Sequence, residues 1–235
     1  MQKIYKDNSK KLVVLDDILK SKYISEILFS CQTNKISIKK RIKQTIYNDF
    51  KYFPLRDNFN PFLNKKKRIR KKISKVVVFL GGGNYRSIYL KVAKILNNMN
   101  FRVDFLVGSE RCGDIKRKVE SLNKNFNLFI NLKNIPKKIF ESDLVICGGG
   151  YTKIETAYLK TPLISLSVQK HQNNLAKNFR AQFGIDFIRF KGNYDPTLKK
   201  LIIKQNLKKR MSISNKFSRY FSVNGLHRII RKTMH

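Results

Sequence analysis

The sequence predicts an α/β protein, a Rossmann-like parallel sheet with helices on both faces, and three observations predict it. Strand-like apolar runs alternate with helical apolar periods from residue 75 to residue 190. Lys75–Leu80 (KVVVFL) is an unbroken β-branched and apolar run, as expected for a central strand covered on both faces. Two strands end in glycine triplets that lead into helices, LGGGNY at Gly81, Gly82 and Gly83 and CGGGYT at Gly148, Gly149 and Gly150.

Residues 1–11 are polar. Leu12–Leu15, ending in Asp16 and Asp17, and Ile27–Phe29 read as short strands. Residues 33–50 carry a basic, partly periodic pattern that predicts a short helix. KYFPLRDNFNPF is an extended stretch broken by Pro54 and Pro61. Residues 64–75, NKKKRIRKKISK, hold no acid and read either as a solvated connector or as a phosphate or membrane patch; they mark the approach to a domain boundary. The helix after the first glycine turn has Ile88, Val92, Ile95 and Leu96 on one face. A strand over 101–108, a charged helix over 114–122 and a strand over 127–132 follow. A helix begins at Pro136 in the favoured first position.

From Asp143 the order is strand, Gly148–Gly150, helix from Thr152, Pro162 and a strand over 163–168. Leu175, Phe179 and Phe183 define the next helix, capped by Gly184, and DFIRF closes the strand set. Residues 191–235 hold a single acid, Asp195, and two expected helices, around 196–207 and 223–234. The expected organisation is an N-terminal segment with its linker over 1–74, the Rossmann-like domain over 75–190 and a basic helical tail over 191–235.

A formal net charge of +36 favours phosphate-bearing ligands and polyanions. Lysine, asparagine and isoleucine dominate together, as an AT-rich coding sequence produces without selection for binding, so nucleic acid is the poorer choice of specific ligand. Cys31, Cys112 and Cys147 are scattered, with no disulfide framework and no zinc spacing, which points to the cytoplasm. No run is long enough to span a membrane, so any membrane contact would be peripheral.

In a parallel sheet, both glycine turns open at the C-terminal edge of their strands and can line one crevice. Neither is a GxGxxG fingerprint, and neither has the GK[ST] ending of a P-loop. Glu155, in the first turn of its helix, suits the helix dipole and is also placed to accept hydrogen bonds from ribose hydroxyls. Gln172, after the next strand, can hold a sugar hydroxyl or a phosphate oxygen. No residue pattern demands a cofactor or metal.

The segment GGGYTKIETAYLKTPLISLSVQKHQ resembles the C-terminal domain of GT-B nucleotide-sugar enzymes, where a GG(S/A)xTxxE turn leads to G-x-P, an apolar strand and a closing Gln. Here the acid is Glu155, Pro162 follows after seven residues and Gln172 after ten more. Within that class the chain resembles the UDP-2,4-diacetamido-2,4,6-trideoxy-β-L-altropyranose hydrolase family of pseudaminic acid biosynthesis. Leu80–Asn84 is similar to that family's FGG(S/G)D, VLDD at 14–17 to VIDDL, and KYFPLRDNF at 51–59 to Y-x-x-L-R-x-x-F. The C-terminal half of the peptidoglycan UDP-GlcNAc transferase is also similar.

The resemblance implies a UDP-sugar ligand. Gly81, Gly82, Gly83, Asn84, Gly148, Gly149, Gly150, Tyr151 and Thr152 would lie at the diphosphate and uracil, Glu155 at the ribose, and Gln172 at the sugar or its phosphate. Two departures stand out: Lys160-Thr161 replaces the usual glycine before Pro162, and Asn84 replaces an Asp. The family's G-x-G-H-x-x-R segment, carrying its catalytic histidine, has no counterpart, since His171, His227 and His235 do not follow a GxG. His171, the only one of the three near the expected site, reads as a bystander. The catalytic group is therefore unassigned, and the chain is expected to begin near the end of the domain that carries it. A glycosyltransferase donor subunit paired with a separate acceptor-binding chain is the second expectation, and a non-catalytic polyanion-binding module the third.

Overall fold

The computed structural model describes residues 11–16, 23–31, 44–108, 114–192 and 194–234. They form two compact units, one from residues 57–222 and one from residues up to 56 together with 223 onward.

In the unit 57–222, β4 (Lys75–Phe79), β5 (Arg102–Val107), β6 (Phe126–Ile130), β7 (Leu144–Gly148), β8 (Leu163–Leu166) and β9 (Asp186–Ile188) make one parallel sheet of order β6-β5-β4-β7-β8-β9. The chain winds outward from β4 on one side, then crosses back to lay β7 on the other. That reversal makes the β4–β7 border the topological switch point. Val76, Val78 and Leu80 belong to a core layer shared with Val92 and Leu96, while Val77 and Phe79 between them are also buried. Helices on both faces account for the unbroken apolar run.

The connecting helices are α1 (Asn60–Leu63), α2 (Arg86–Asn97), α3 (Ile115–Glu120), α4 (Ile135–Glu141), α5 (Thr152–Tyr158), α6 (Gln172–Phe183), α7 (Tyr194–Ile203) and α8 (Leu207–Tyr220). Gly184 ends α6 at φ 76° as expected. Helix α4 starts one residue before Pro136 because the Asn134 side chain accepts from Lys137 N at 3.4 Å and fixes the cap. Helix α8 is not among the expected elements: two of its inward positions are polar, Arg210 and Ser214, which breaks the apolar period of Ile213 and Phe217. Phe217 and Phe221 meet Phe179 and Phe183 in an aromatic cluster, with the Phe183 and Phe217 rings edge-to-face at 5.3 Å.

The compact units divide at 56/57 and 222/223. The basic stretch 64–75 is fastened to the larger unit. Asp143 accepts from Arg70 Nη1 at 2.8 Å and from Ser74 N, Ser74 Oγ and Lys75 N at 2.9 Å each. Burial alone would raise this carboxyl, but the donors of Ser74, Lys75 and Arg70 hold it below its ordinary value. Lys67 Nζ donates to Ser142 O at 2.6 Å and to Phe140 O, and burial pushes its ammonium down to about 7. The buried Arg210 of α8 donates to the carbonyls of Arg70 and Lys71 at 2.9 Å each. Part of the basic stretch is thus internal stitching, neither a connector nor a ligand patch.

The smaller unit is a parallel sheet of β1 (Val13–Leu15), β2 (Ile27–Ser30) and β3 (Thr45–Asn48) in that order, with α9 (Gly225–Thr233) returning to it. Ile27, Phe29 and Tyr52 form its core with Val13, Tyr47 and Ile229 packed against them. Residues 45–48 are a strand, against the expectation of a helix over 33–50, because β2 offers them a full parallel register from Ile27↔Thr45 to Ser30↔Asn48. The rest of that expected helix up to residue 43, like residues 1–10, Asp17, Cys112 and His235, lies outside the described residues. Asn224 accepts from Leu55 N at 3.1 Å and donates to Leu55 O at 3.3 Å. A Cβ on Gly225 would lie 2.1 Å from Phe53 O, so only glycine allows that approach.

Candidate functional site

Strands β4 and β7 are neighbours in register Phe79↔Cys147, so their glycine turns stand side by side at the switch point. A Cβ on Gly148 would lie 2.4 Å from Leu80 O, and one on Gly81 3.5 Å from Thr152 Oγ1. Gly81 adopts φ +100°, which a side chain would strain. At Gly82, by contrast, no atom of the described residues beyond its chain neighbours lies within 4 Å of the point a Cβ would occupy, so the first turn presents bare backbone there. Tyr89 of α2 pins this turn from beneath: its buried hydroxyl accepts from Leu80 N at 3.0 Å and donates to Leu106 O at 2.6 Å.

The second turn has its own supports. Gln172, first residue of α6, is only 7% exposed, and its Oε1 accepts from Val168 N at 3.0 Å. Its Nε2 lies 3.5 Å from where a Gly150 Cβ would be, and its Oε1 3.2 Å from a Gly149 Cβ. Ser167 Oγ is buried without a hydrogen-bond partner, 3.1 Å from the Gly149 Cβ position. A buried hydroxyl left unpaired beside a glycine turn is an acceptor or donor in reserve. Across the loops, Gln169 Nε2 donates to Tyr85 Oη at 3.2 Å, tying the β8–α6 connection to the β4–α2 connection.

Beneath the second turn lies Lys153, 1% exposed. Its Nζ donates to Gly149 O at 2.7 Å and Gly150 O at 2.8 Å. With both carbonyls drawn inward, the turn's backbone is held in one orientation by a side chain of its own helix. Burial pushes this ammonium down to about 7, against a smaller opposing influence from Cys147. Sequence reasoning misses Lys153, although a lone cation in the otherwise neutral or acidic TKIETAY is the available signal.

The structure brings together the glycines of both turns, Thr152 and Gln172. Tyr151 is half-buried just before α5, Glu155 is half-buried in its first turn, and Asn84 is exposed after the first turn. His171 is exposed beside Gln172. Cys147 is fully buried and burial raises its thiol to about 12, so it serves as a small core residue rather than a nucleophile. Lys160, in the place of the expected glycine, adopts φ +57°, the left-handed conformation that glycine would take freely. Its Nζ donates to Leu63 O and, at 3.0 Å, to Lys65 O, and its own carbonyl accepts from Ser214 Oγ at 2.7 Å. The lysine keeps the turn and adds anchors that glycine lacks.

A cavity of about 590 Å³ lined by Arg70, Ser74, Lys75 and Arg102 lies at the opposite, N-terminal edge of the strands. Two of its charges are engaged, Arg70 by Asp143 and Lys75 by Asp104 at 3.7 Å and Glu141 at 3.5 Å. Among the described residues no cluster of three or more His, Cys, Asp or Glu could hold a metal ion.

A parallel sheet whose switch point carries two adjoining glycine turns, in a chain that also folds a second parallel α/β unit, is the GT-B architecture. The solved structures similar to this chain have that fold. MurG of Acinetobacter baumannii matches with a TM-score of 0.63 at 11% identity, over 90% of this chain and 61% of that one. Anabaena HepE, solved in complex with UDP-glucose, matches with a TM-score of 0.59 at 10% identity, over 95% and 72%. CalG4, the calicheamicin glycosyltransferase, matches with a TM-score of 0.60 at 9% identity, over 90% and 52%. The chain thus spans about three-fifths of the length of MurG. No protein-family profile matches the sequence, and no curated protein is significantly similar to it.

Proposed function

We propose that the crevice between the β4 and β7 turns binds the UDP moiety of a UDP-sugar, and that the chain serves a UDP-sugar hydrolase of the kind its motifs resemble, in pseudaminic acid or related surface polysaccharide biosynthesis. The observation that carries this reading is the side-by-side placement of the two glycine turns at the switch point, with Gln172 and the unpaired Ser167 hydroxyl behind them. Bare backbone at Gly82 and Gly150 allows a diphosphate to approach main-chain N–H groups. Glu155 would accept from the ribose hydroxyls and the Gln172 amide nitrogen would donate to the sugar or its phosphate. In the reaction, water attacks the anomeric carbon, the C–O bond to UDP breaks, and the free sugar and UDP leave. The unit 57–222 would be the nucleotide-sugar half, and the smaller unit part of the second GT-B domain.

Titration calorimetry with UDP tests the site. Glu155→Ala should weaken binding at least about tenfold, the worth of hydrogen bonds to a charged acceptor. Equal affinity for wild type and variant would sink the ribose role. Polyanion binding alone would be steep in salt and indifferent to that substitution. A glycosyltransferase donor half with a separate acceptor chain is the second reading, favoured by the likeness to CalG4. UDP release from a UDP-amino sugar by this chain in water supports hydrolysis; release only when a sugar acceptor and a partner chain are added supports transfer.

A further inference from the structure

Helix α9 is amphipathic beyond what its own unit uses. Its inward side is Gly225, against Phe53, and Ile229, packed on the Ile27–Phe29–Tyr52 cluster. On the outward side Leu226, Ile230 and Met234 recur every four residues and are 42%, 44% and 78% exposed, with Val223 continuing the line at 37%. His227 and Arg231, also exposed, border this stripe, whereas Lys232 lies on the inward side, with its Nζ 5.6 Å from the Tyr47 ring. No acid follows Asp195 in the sequence.

We propose that α9 docks on an anionic lipid bilayer, laying the Leu226–Ile230–Met234 stripe into the headgroup boundary with Arg231 against lipid phosphates. A stable protein–protein interface buries at least about 1,200 Å² in total, more than four side chains around one nine-residue helix supply alone. A second copy of a chain with net charge +36 would bring like charge to this basic helix. An anionic leaflet removes both objections: a narrow apolar stripe bordered by Arg231 in a chain of net charge +36 suits an interfacial helix, and each basic residue near the surface adds about fivefold to binding. Among the described residues no helix is long and apolar enough to cross a membrane, so this contact is peripheral.

The sequence contains no tryptophan, so Leu226→Trp places a single reporter in the full-length chain. Its emission should shift to the blue with vesicles of equimolar phosphatidylglycerol and phosphatidylcholine, and not with phosphatidylcholine alone. In flotation with the same anionic vesicles, the triple variant Leu226→Ser, Ile230→Ser, Met234→Ser keeps every charge and should bind at least about tenfold more weakly at high salt. Unchanged far-UV circular dichroism would show that these exposed positions leave the fold intact. Equal flotation of wild type and triple variant, or an unshifted tryptophan, would overturn the proposal. A vesicle-independent dimer abolished by the same substitutions would overturn it too, and would give the stripe to a second copy.

Discussion

Lys153→Met is the most informative single substitution in the site. The lysine is fully buried, and its ammonium is brought from 10.5 down to about 7. Because its folded pKa is depressed, the unfolded chain holds this proton between pH 7 and 10.5 while the native protein does not. Stability therefore rises with pH through that window. At about 1.4 kcal/mol per pH unit, this one group adds about 3 kcal/mol to wild-type stability between pH 7 and pH 9. Methionine removes the titration and leaves the carbonyls of Gly149 and Gly150 without their donor, a loss of about 1–3 kcal/mol at any pH. At pH 9 the variant should therefore be the less stable protein, and towards pH 7 and below the gap should close or reverse. Urea unfolding of both proteins at pH 7, 8 and 9 reads this directly. The window stops at pH 9 because the Cys147 thiol, raised to about 12, begins to erode stability above its unfolded value of 9.0. Lys67, also near 7, contributes the same slope to both proteins and cancels in the comparison. Parallel pH profiles for wild type and Lys153→Met would refute the assignment.

Two further substitutions test the turns. Gly148→Ala sets a Cβ 2.4 Å from Leu80 O and 3.1 Å from Leu80 C, backbone that cannot yield, and should cost at least about 3 kcal/mol in thermal denaturation. Gly82→Ala, with nothing within 4 Å, should leave the melting temperature unchanged, so any loss of UDP affinity there belongs to the crevice. At Lys160, methionine loses the bonds to Leu63 O and Lys65 O, whereas glycine loses them but relieves φ +57°. Lys160→Met should thus be less stable than Lys160→Gly by about 1 kcal/mol, and the reverse order would show that the left-handed backbone is not strained.

The sheet is legible because its signals are local. KVVVFL and DLVIC are apolar runs of strand length, and a glycine triplet after each marks the turn. Their adjacency is not legible. Nothing in the residues says that β7 pairs with β4 rather than β6; the crossover that makes them neighbours is a property of the whole sheet. Helix α8 escapes because Arg210 and Ser214 satisfy distant carbonyls from inward positions, and a pattern that counts apolar residues scores them as gaps. Lys153 escapes for the same reason. A lysine reads as surface until the acceptors that hold it are known, and here they are two backbone oxygens of its own turn. The residue replacing glycine before Pro162 looks like a defect in the sequence, and the Nζ of Lys160 shows how a longer side chain supports the same backbone.

The smaller unit draws its residues from both ends of the described chain, with Asn224 clasping Leu55 and Gly225 seated on Phe53. That arrangement imposes an order on biogenesis. The residues from 57 to 222 are contiguous and can collapse as they leave the ribosome, whereas β1–β3 wait with an open flank until the last helix has been made. Until then the Ile27–Phe29–Tyr52 core lacks the Ile229 side chain that packs on it.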